Sequence, residues 1–458
     1  MHIRFIAALA LGLQLPCWHA AAAELPAAAK TFEQLQSEAL DAYKGKNYAQ
    51  METLLKQSEQ LRPNHPRALY NLAAAKALRG DADGALALLE KLDRMKLGYR
   101  IWEDGDFTTL KGNARFEQLT ESFKRHLQPQ GSAAFGFSAG VSDFMPEGIA
   151  YDRDNNAYYL GSVHQRRVLM INRDSQHLSL VTSADYGLYS ALGMKVEPPT
   201  HRLWVASAAL PEMEGYDAED RGRSGLFAFD TRSGRLRGKY LLPKDGKEHV
   251  LGDLIISSKG RVFTTDSAEG VLYELDRGSG KYTALTAPGE LISPQGLTFA
   301  PKQGFIYLAD YARGLLRYDL DRKLLQPLPG RDDICLYGID GLYYYKGSLV
   351  AIQNGVRPNR VVRIELDESA DPPKVTGMQV LVANHSDFDE PTLGVLKNSG
   401  VFYFIANSHW NRVNERHRLP PEDLLTRPVV LRIDLERKIQ PADSAGNRKD
   451  QSKDQSKD

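Results

Sequence analysis

The chain has almost no cysteine, two residues in 458, which excludes a disulfide-stapled scaffold. Cys17 falls in an N-terminal segment expected to be removed, leaving Cys335 as the single thiol. In Asp333-Ile-Cys-Leu-Tyr337 it reads as a small buried hydrophobe, because a nucleophile needs a base partner that the sequence does not show. Net charge is absent too: 58 Lys and Arg stand against 58 Asp and Glu. That balance removes the electrostatic footprint of a nucleic-acid binder, so no nucleic acid is expected as a partner. Beyond the N-terminal segment no apolar run reaches the ~20 residues that a membrane span requires. The common catalytic signatures are also missing: no G-x-S-x-G elbow, HExxH pair, P-loop, CxxCH or paired CxxC occurs. Any chemistry must come from residues that the fold brings together.

What is present begins with an export signal. Arg4 precedes the apolar run Phe5 to Leu15, then Pro16 and a small-residue stretch ending at Ala23. This layout predicts a signal peptide over residues 1–23 and a periplasmic or secreted protein. Leu15 and Pro16 stand before Cys17 where lipidation needs small residues, which argues against a lipid anchor. Removing the signal takes Arg4 and no acid, leaving 57 basic side chains against 58 acidic ones. With 42% hydrophobic and 25% charged residues the remainder has ordinary globular composition.

Residues 31–127 read as a helical, tetratricopeptide-like domain, within which residues 31–95 repeat at a shift of 34 positions. Leu35 aligns with Leu69, Ala39 with Ala73, Met51 with Ala85 and Leu55 with Leu89. Two helices per unit, small residues at the crossings and a closing proline resemble the tetratricopeptide pattern. The segment from Trp102 to Phe123 is expected to cap the stack. A helical hairpin pair packed on the next domain fits the same pattern. Residues 31–125 are therefore a candidate surface for a protein partner.

Residues 128–136, rich in Gln, Pro, Gly and Ser, read as a linker. From there to about residue 437 the apolar period is 2, and one motif recurs: Glu147-Gly-Ile-Ala-Tyr, Leu192-Gly-Met-Lys-Val, Gly252-Asp-Leu-Ile-Ile, Gln295-Gly-Leu-Thr-Phe and Asp340-Gly-Leu-Tyr-Tyr. A sixth, degenerate copy begins at Glu390-Pro-Thr-Leu. Six units of about 50 residues predict a six-bladed β-propeller over 137–437. The fold class expected is thus mainly β, with an N-terminal α-helical tetratricopeptide-like domain. The Lys/Asp/Gln/Ser tail, 438–458, reads as low-complexity disorder.

In a propeller the innermost strand of each blade lines the channel, and the first motif residue points at the axis. That column is Glu147, Leu192, Gly252, Gln295, Asp340 and, approximately, Thr392. Two carboxylates and an amide oxygen suit a hard cation; turn-type capping of backbone groups explains the same residues equally well. Each loop between second and third strands borders the same mouth. The loops supply His164, Asp266, Asp310, Asn354 and His409, and Asp253 adjoins the column; these six are candidate substrate contacts. For Asp266 and Asp310 structural capping competes with that role. Two long insertions, near 209–224 and 411–427, fall on this face as well.

The motif copies, with Pro146-Glu-Gly-Ile-Ala-Tyr-Asp, Ser293-Pro-Gln-Gly-Leu-Thr-Phe-Ala-Pro and Ile306-Tyr-Leu-Ala-Asp310, resemble the gluconolactonase/regucalcin (senescence-marker protein) superfamily over residues 140–436. Paraoxonases and strictosidine synthases are its relatives. The resemblance implies a divalent cation, often Ca²⁺, in the channel and hydrolysis of lactones or related esters. It implies Glu147 and Asp340 as acidic metal ligands with Gln295 as a third, and Asp340 also as general base. The sequence departs from the family where Gly252 and Gln295 replace asparagines and Leu192 stands at the paraoxonase histidine. A non-catalytic module, binding a ligand at the mouth and a protein at the helices, is the alternative reading.

Overall fold

The computed structural model describes residues 30–172, 177–182, 184–301 and 304–437. The expected signal peptide and tail lie outside the described residues. Helix α1 (Phe32–Lys44) starts at a capping box in which Thr31 and Gln34 satisfy each other's backbone N–H groups. It is followed by α2 (Tyr48–Leu61), α3 (Pro66–Leu78) and α4 (Ala82–Arg94). The start of α3 lies 34 residues after that of α1, and α4 the same distance after α2. All eight residues paired by this shift are buried, as expected where equivalent helices pack in equivalent ways. A 3₁₀ turn, Gly105–Leu110, and α5 (Ala114–His126) close the stack through Phe107, Phe116 and Phe123. Among the described residues no helix is long and apolar enough to cross a membrane.

The rest is a six-bladed β-propeller. Blades 1 to 4 are four-stranded antiparallel sheets beginning at Pro146, Ser190, Leu251 and Pro294. Blade 5 begins at Ile339 and gains a fifth, outer strand, Gln130–Gly131. Blade 6 combines three C-terminal strands, from Gly394 to Asp434, with the early strand Ala134–Ser138. Joining the first and last parts of the chain in one sheet closes the ring and leaves it no free end. The segment 128–136 is therefore a correction to the sequence reading. Its two strands belong to two blades and tie the helices to the ring.

Large side chains between adjacent sheets form the core, among them Trp204, Phe227, Phe263, Tyr318 and Phe404, each about 1% exposed or less. Each such aromatic contributes roughly 2–3 kcal/mol of burial. Cys335 is fully buried, as expected, among Val356 and residues of the helices. It lies in the seam where the helical domain meets blade 5. Gly98 N donates to Arg357 O at 2.7 Å and Tyr337 Oη to Pro63 O at 2.8 Å.

Candidate functional site

Five of the six inner strands are interrupted at one place. The pairing shifts between Pro146 and Ile149, Ala191 and Met194, Leu251 and Leu254, Pro294 and Leu297, and Ile339 and Leu342. The recurring motif is thus a β-bulge, which re-aims a side chain and ends regular pairing. In blades 1, 4 and 5 its first residue, Glu147, Gln295 or Asp340, stays partly exposed between two buried neighbours, whereas Leu192 of blade 2 is buried. The second residue is glycine in blades 1, 2, 4 and 5, and in blades 1, 2 and 4 neighbouring backbone occupies the space of a side chain. A Cβ would stand 1.9 Å from Leu192 O at Gly148, 2.7 Å from Gly252 O at Gly193 and 2.4 Å from Asp340 O at Gly296. The bulges therefore interlock blade to blade.

Blade 3 inverts the order. Gly252 takes the channel-facing place, where a Cβ would meet only Gln295 Oε1 at 3.9 Å. Asp253 takes the inward place and is 2% exposed, with Lys195 Nζ 3.7 Å from Oδ1. A substrate contact through Asp253 is thereby corrected, since its carboxylate is enclosed between blades. Burial raises its pKa, against the pull of Lys195.

The two axial carboxylates each keep one oxygen bonded. Trp410 Nε1 donates to Glu147 Oε2 at 2.7 Å, and Asn354 Nδ2 donates to Asp340 Oδ2 at 2.7 Å. Gln295 Nε2 donates to Ser293 Oγ at 3.0 Å, which turns its Oε1 toward the open place at Gly252. Thr392 Oγ1 and Thr265 Oγ1 hold the carbonyls of Glu147 and Gln295 from neighbouring blades. Burial, and then the charge of Asp340, raise Glu147 well above the usual carboxylate range. Asp340 is raised to about 7, chiefly by burial, with Asn354 opposing and the charges of Glu390 and Asp253 reinforcing. Glu390, in the sixth motif copy, is likewise raised to about 7 by burial and by Asp389. These acids act on one another: the charges of Asp340, Glu390 and Asp253 raise Glu147, and those of Glu390 and Asp253 raise Asp340.

The rim residues divide. Asn354 faces the site. His164 Nδ1 bonds Glu212 O at 2.7 Å and so braces the blade 2 insertion. Asp266 and Asp310 are fully buried. Asp310 accepts from the N–H groups of Ile292, Ala312 and Arg313 at 2.7–3.0 Å. Asp266 accepts from Val250 N and holds His249 Nδ1 at 2.6 Å. Both are loop caps, and their expected substrate role is corrected. His409 is corrected too: it is buried, its Nε2 bonds Thr426 O at 2.9 Å, and its left-handed backbone turns the chain so that Trp410 reaches Glu147.

Sequence reasoning missed Trp410, Lys195, Glu390 and Tyr311 as site residues. Glu390 carried a signal, since it opens the sixth motif copy. The two insertions do meet on this face, through His417 Nδ1 and Glu212 Oε1 at 2.7 Å. A cleft of about 630 Å³ lies between them, lined by His164, Met213, Tyr216, His417 and Leu419.

No family profile matches the chain, and no curated protein does. Among solved structures it is similar to a calcium-binding protein, regucalcin, from Agrobacterium tumefaciens, at 14% identity over 67% of this chain and 96% of that one, TM-score 0.47. It is also similar to the PQQ-bound aldose sugar dehydrogenase of Streptomyces coelicolor, at 12% identity over 67% and 98%, TM-score 0.46. A gluconolactonase from Xanthomonas campestris is similar at 14% identity over 67% and 98%, TM-score 0.42. The six-bladed architecture stands on the strand pairing described above, not on these likenesses.

Among the described residues no three His, Cys, Asp or Glu side chains gather as metal ligands. The axial donors are of another composition, two carboxylates and an amide oxygen. No donor among the described residues reaches Glu147 Oε1, Asp340 Oδ1 or Gln295 Oε1. Hard oxygens without partners, in an acid-rich opening, fit a hard divalent cation.

Proposed function

We propose that this chain is a lactonase-like hydrolase that acts on a lactone or related ester at the propeller mouth and uses a divalent cation, Ca²⁺ foremost. The observation that supports this reading is the repeated bulge, in which Glu147, Gln295 and Asp340 hold the equivalent place in blades 1, 4 and 5, each with one side-chain oxygen engaged by no donor among the described residues. Those three residues would hold the cation, which when bound supplies Lewis-acid polarisation of the substrate carbonyl. Asn354 donates to Asp340 Oδ2 and leaves Oδ1 toward the opening, where it can take a proton from an attacking water. Trp410 fixes the Glu147 carboxylate, and with Val413 and Leu419 of the insertion that follows it packs on the apolar cluster of blades 1 to 3. The expected periplasmic or secreted location belongs to the same proposal, as does a protein partner for the helices.

Purified protein is expected to contain one divalent ion per chain and to turn over members of a lactone panel. Glu147→Gln and Asp340→Asn should each lower turnover by at least about a thousandfold while the circular dichroism spectrum stays that of the folded chain. Protein without stoichiometric metal, and inert on the panel, would remove this reading. A second reading, a non-catalytic binding module, is favoured by one feature: Leu192 and Gly252 leave blades 2 and 3 without an axial oxygen. Metal content separates the two.

A further inference from the structure

The helical domain grips blade 5 at the hairpin that carries Asn354. This hairpin joins the strands Ser348–Gln353 and Arg360–Asp367, whose end residues Gln353 and Arg360 pair across the ladder. Both are fully buried. Arg360 Nη1 donates to Met95 O at 3.0 Å and Lys96 O at 3.1 Å, and its Nε donates to Gln353 Oε1 at 2.8 Å. Gln353 Nε2 in turn donates to the carbonyls of Cys335 and Tyr337, each at 2.9 Å. Met95 caps the C-terminus of α4, where the last carbonyls carry the negative end of the helix dipole. Among the described residues no carboxylate accepts from this buried guanidinium. A buried cation without that help is costly, so the end of α4 is an integral part of its surroundings.

Asn354 is the next residue after Gln353. Its amide has one orientation: the nitrogen donates to Asp340 Oδ2 at 2.7 Å and Pro391 O at 3.1 Å, while the oxygen accepts from Tyr311 Oη at 3.1 Å. At the far side of the same loop Gly98 N donates to Arg357 O, and Val356 packs into the helical core. A loop held by the helical domain at Val356, Arg357 and Arg360 thus presents the Asn354 amide to an axial carboxylate.

We propose that the helical domain is a positioning element of the channel site, holding the 354–360 loop through Arg360 so that Asn354 orients Asp340. This rests on the reading of Asp340 as a working residue, but its test needs neither metal nor substrate. The readout is the side-chain amide signal of Asn354 in ¹⁵N-labelled full-length protein, assigned by its loss in Asn354→Ala. The wild-type signal is expected outside the free-amide position and protected from hydrogen exchange. In Arg360→Met it should move to the free-amide position and lose at least tenfold in protection, with partial rescue in Arg360→Lys. Gln353→Met removes the acceptor that ties Arg360 Nε to the strand end beside Asn354, and it serves if Arg360→Met does not fold. A signal that keeps its position and protection in either folded variant overturns the proposal. Failure of the hydrolase reading would appear instead as absent metal and turnover, with this amide signal unaffected.

Discussion

At the scale of single residues the mouth is governed by how each acid is engaged. Gly252 leaves a place beside Gln295 Oε1 that no other atom fills. Gly252→Asn should put an amide oxygen there and tighten Ca²⁺ binding by about an order of magnitude, since ligand number sets affinity in oxygen sites. Isothermal titration of the two proteins checks this. His249 offers a pH test away from the ring. Its Nδ1 lies 2.6 Å from Asp266 Oδ2 and its Nε2 3.2 Å from Asp245 Oδ1, and the bond to Asp266 leads in raising its pKa above 6.5. A raised folded-state pKa means that the stabilisation is complete below the unfolded value and is lost as pH climbs through the folded one. Wild type should therefore exceed His249→Asn by about 2 kcal/mol at pH 6, and the gap should shrink as pH climbs through the raised folded-state value. Urea unfolding across that range reads the difference.

Among elements, the bulge is the unit that turns a repeated sequence into a site. Its glycines are not equivalent. A Cβ at Gly296 would stand 2.4 Å from Asp340 O, whereas at Gly252 it has room. Gly296→Ala should cost about 2–3 kcal/mol by forcing blades 4 and 5 apart. Gly252→Ala should be neutral or stabilising by up to about 1 kcal/mol, because it lowers the entropy of the unfolded chain. Thermal melts of both variants test whether interlocking, and not the motif alone, keeps glycine there. The inner strands were legible in the sequence, because the motif recurs in five blades and a short apolar run follows each copy. The bulge was not, since nothing in Gly-Leu or Gly-Ile states that two residues face one on the next strand. Nor was the enclosure of Asp266 and Asp310, because a polar loop at a rim looks the same whether its carboxylate meets a ligand or caps N–H groups.

The whole molecule joins two repeat systems through one seam. The 34-residue helical shift and the six blades are both periodic, and periodicity is what a sequence displays openly. The seam depends on single contacts between distant segments, and these carry no period. Arg360 against the end of α4 reads in sequence as an ordinary strand arginine. The closing strand Ala134–Ser138 reads as the end of a linker. Truncation before residue 128 would expose Cys335 and Val356 and strip Arg360 of two acceptors. The shortened protein should accordingly aggregate or melt well below the full chain in a thermal-shift assay.

The claim on which the functional account depends is that Glu147, Gln295 and Asp340 together hold a hard cation. A crystal grown with calcium and measured for anomalous scattering tests it most directly. The account requires one peak bonded to an oxygen of each of the three residues, about 2.3–2.6 Å away. A mouth holding only water at that place, with calcium present at millimolar concentration, would contradict it.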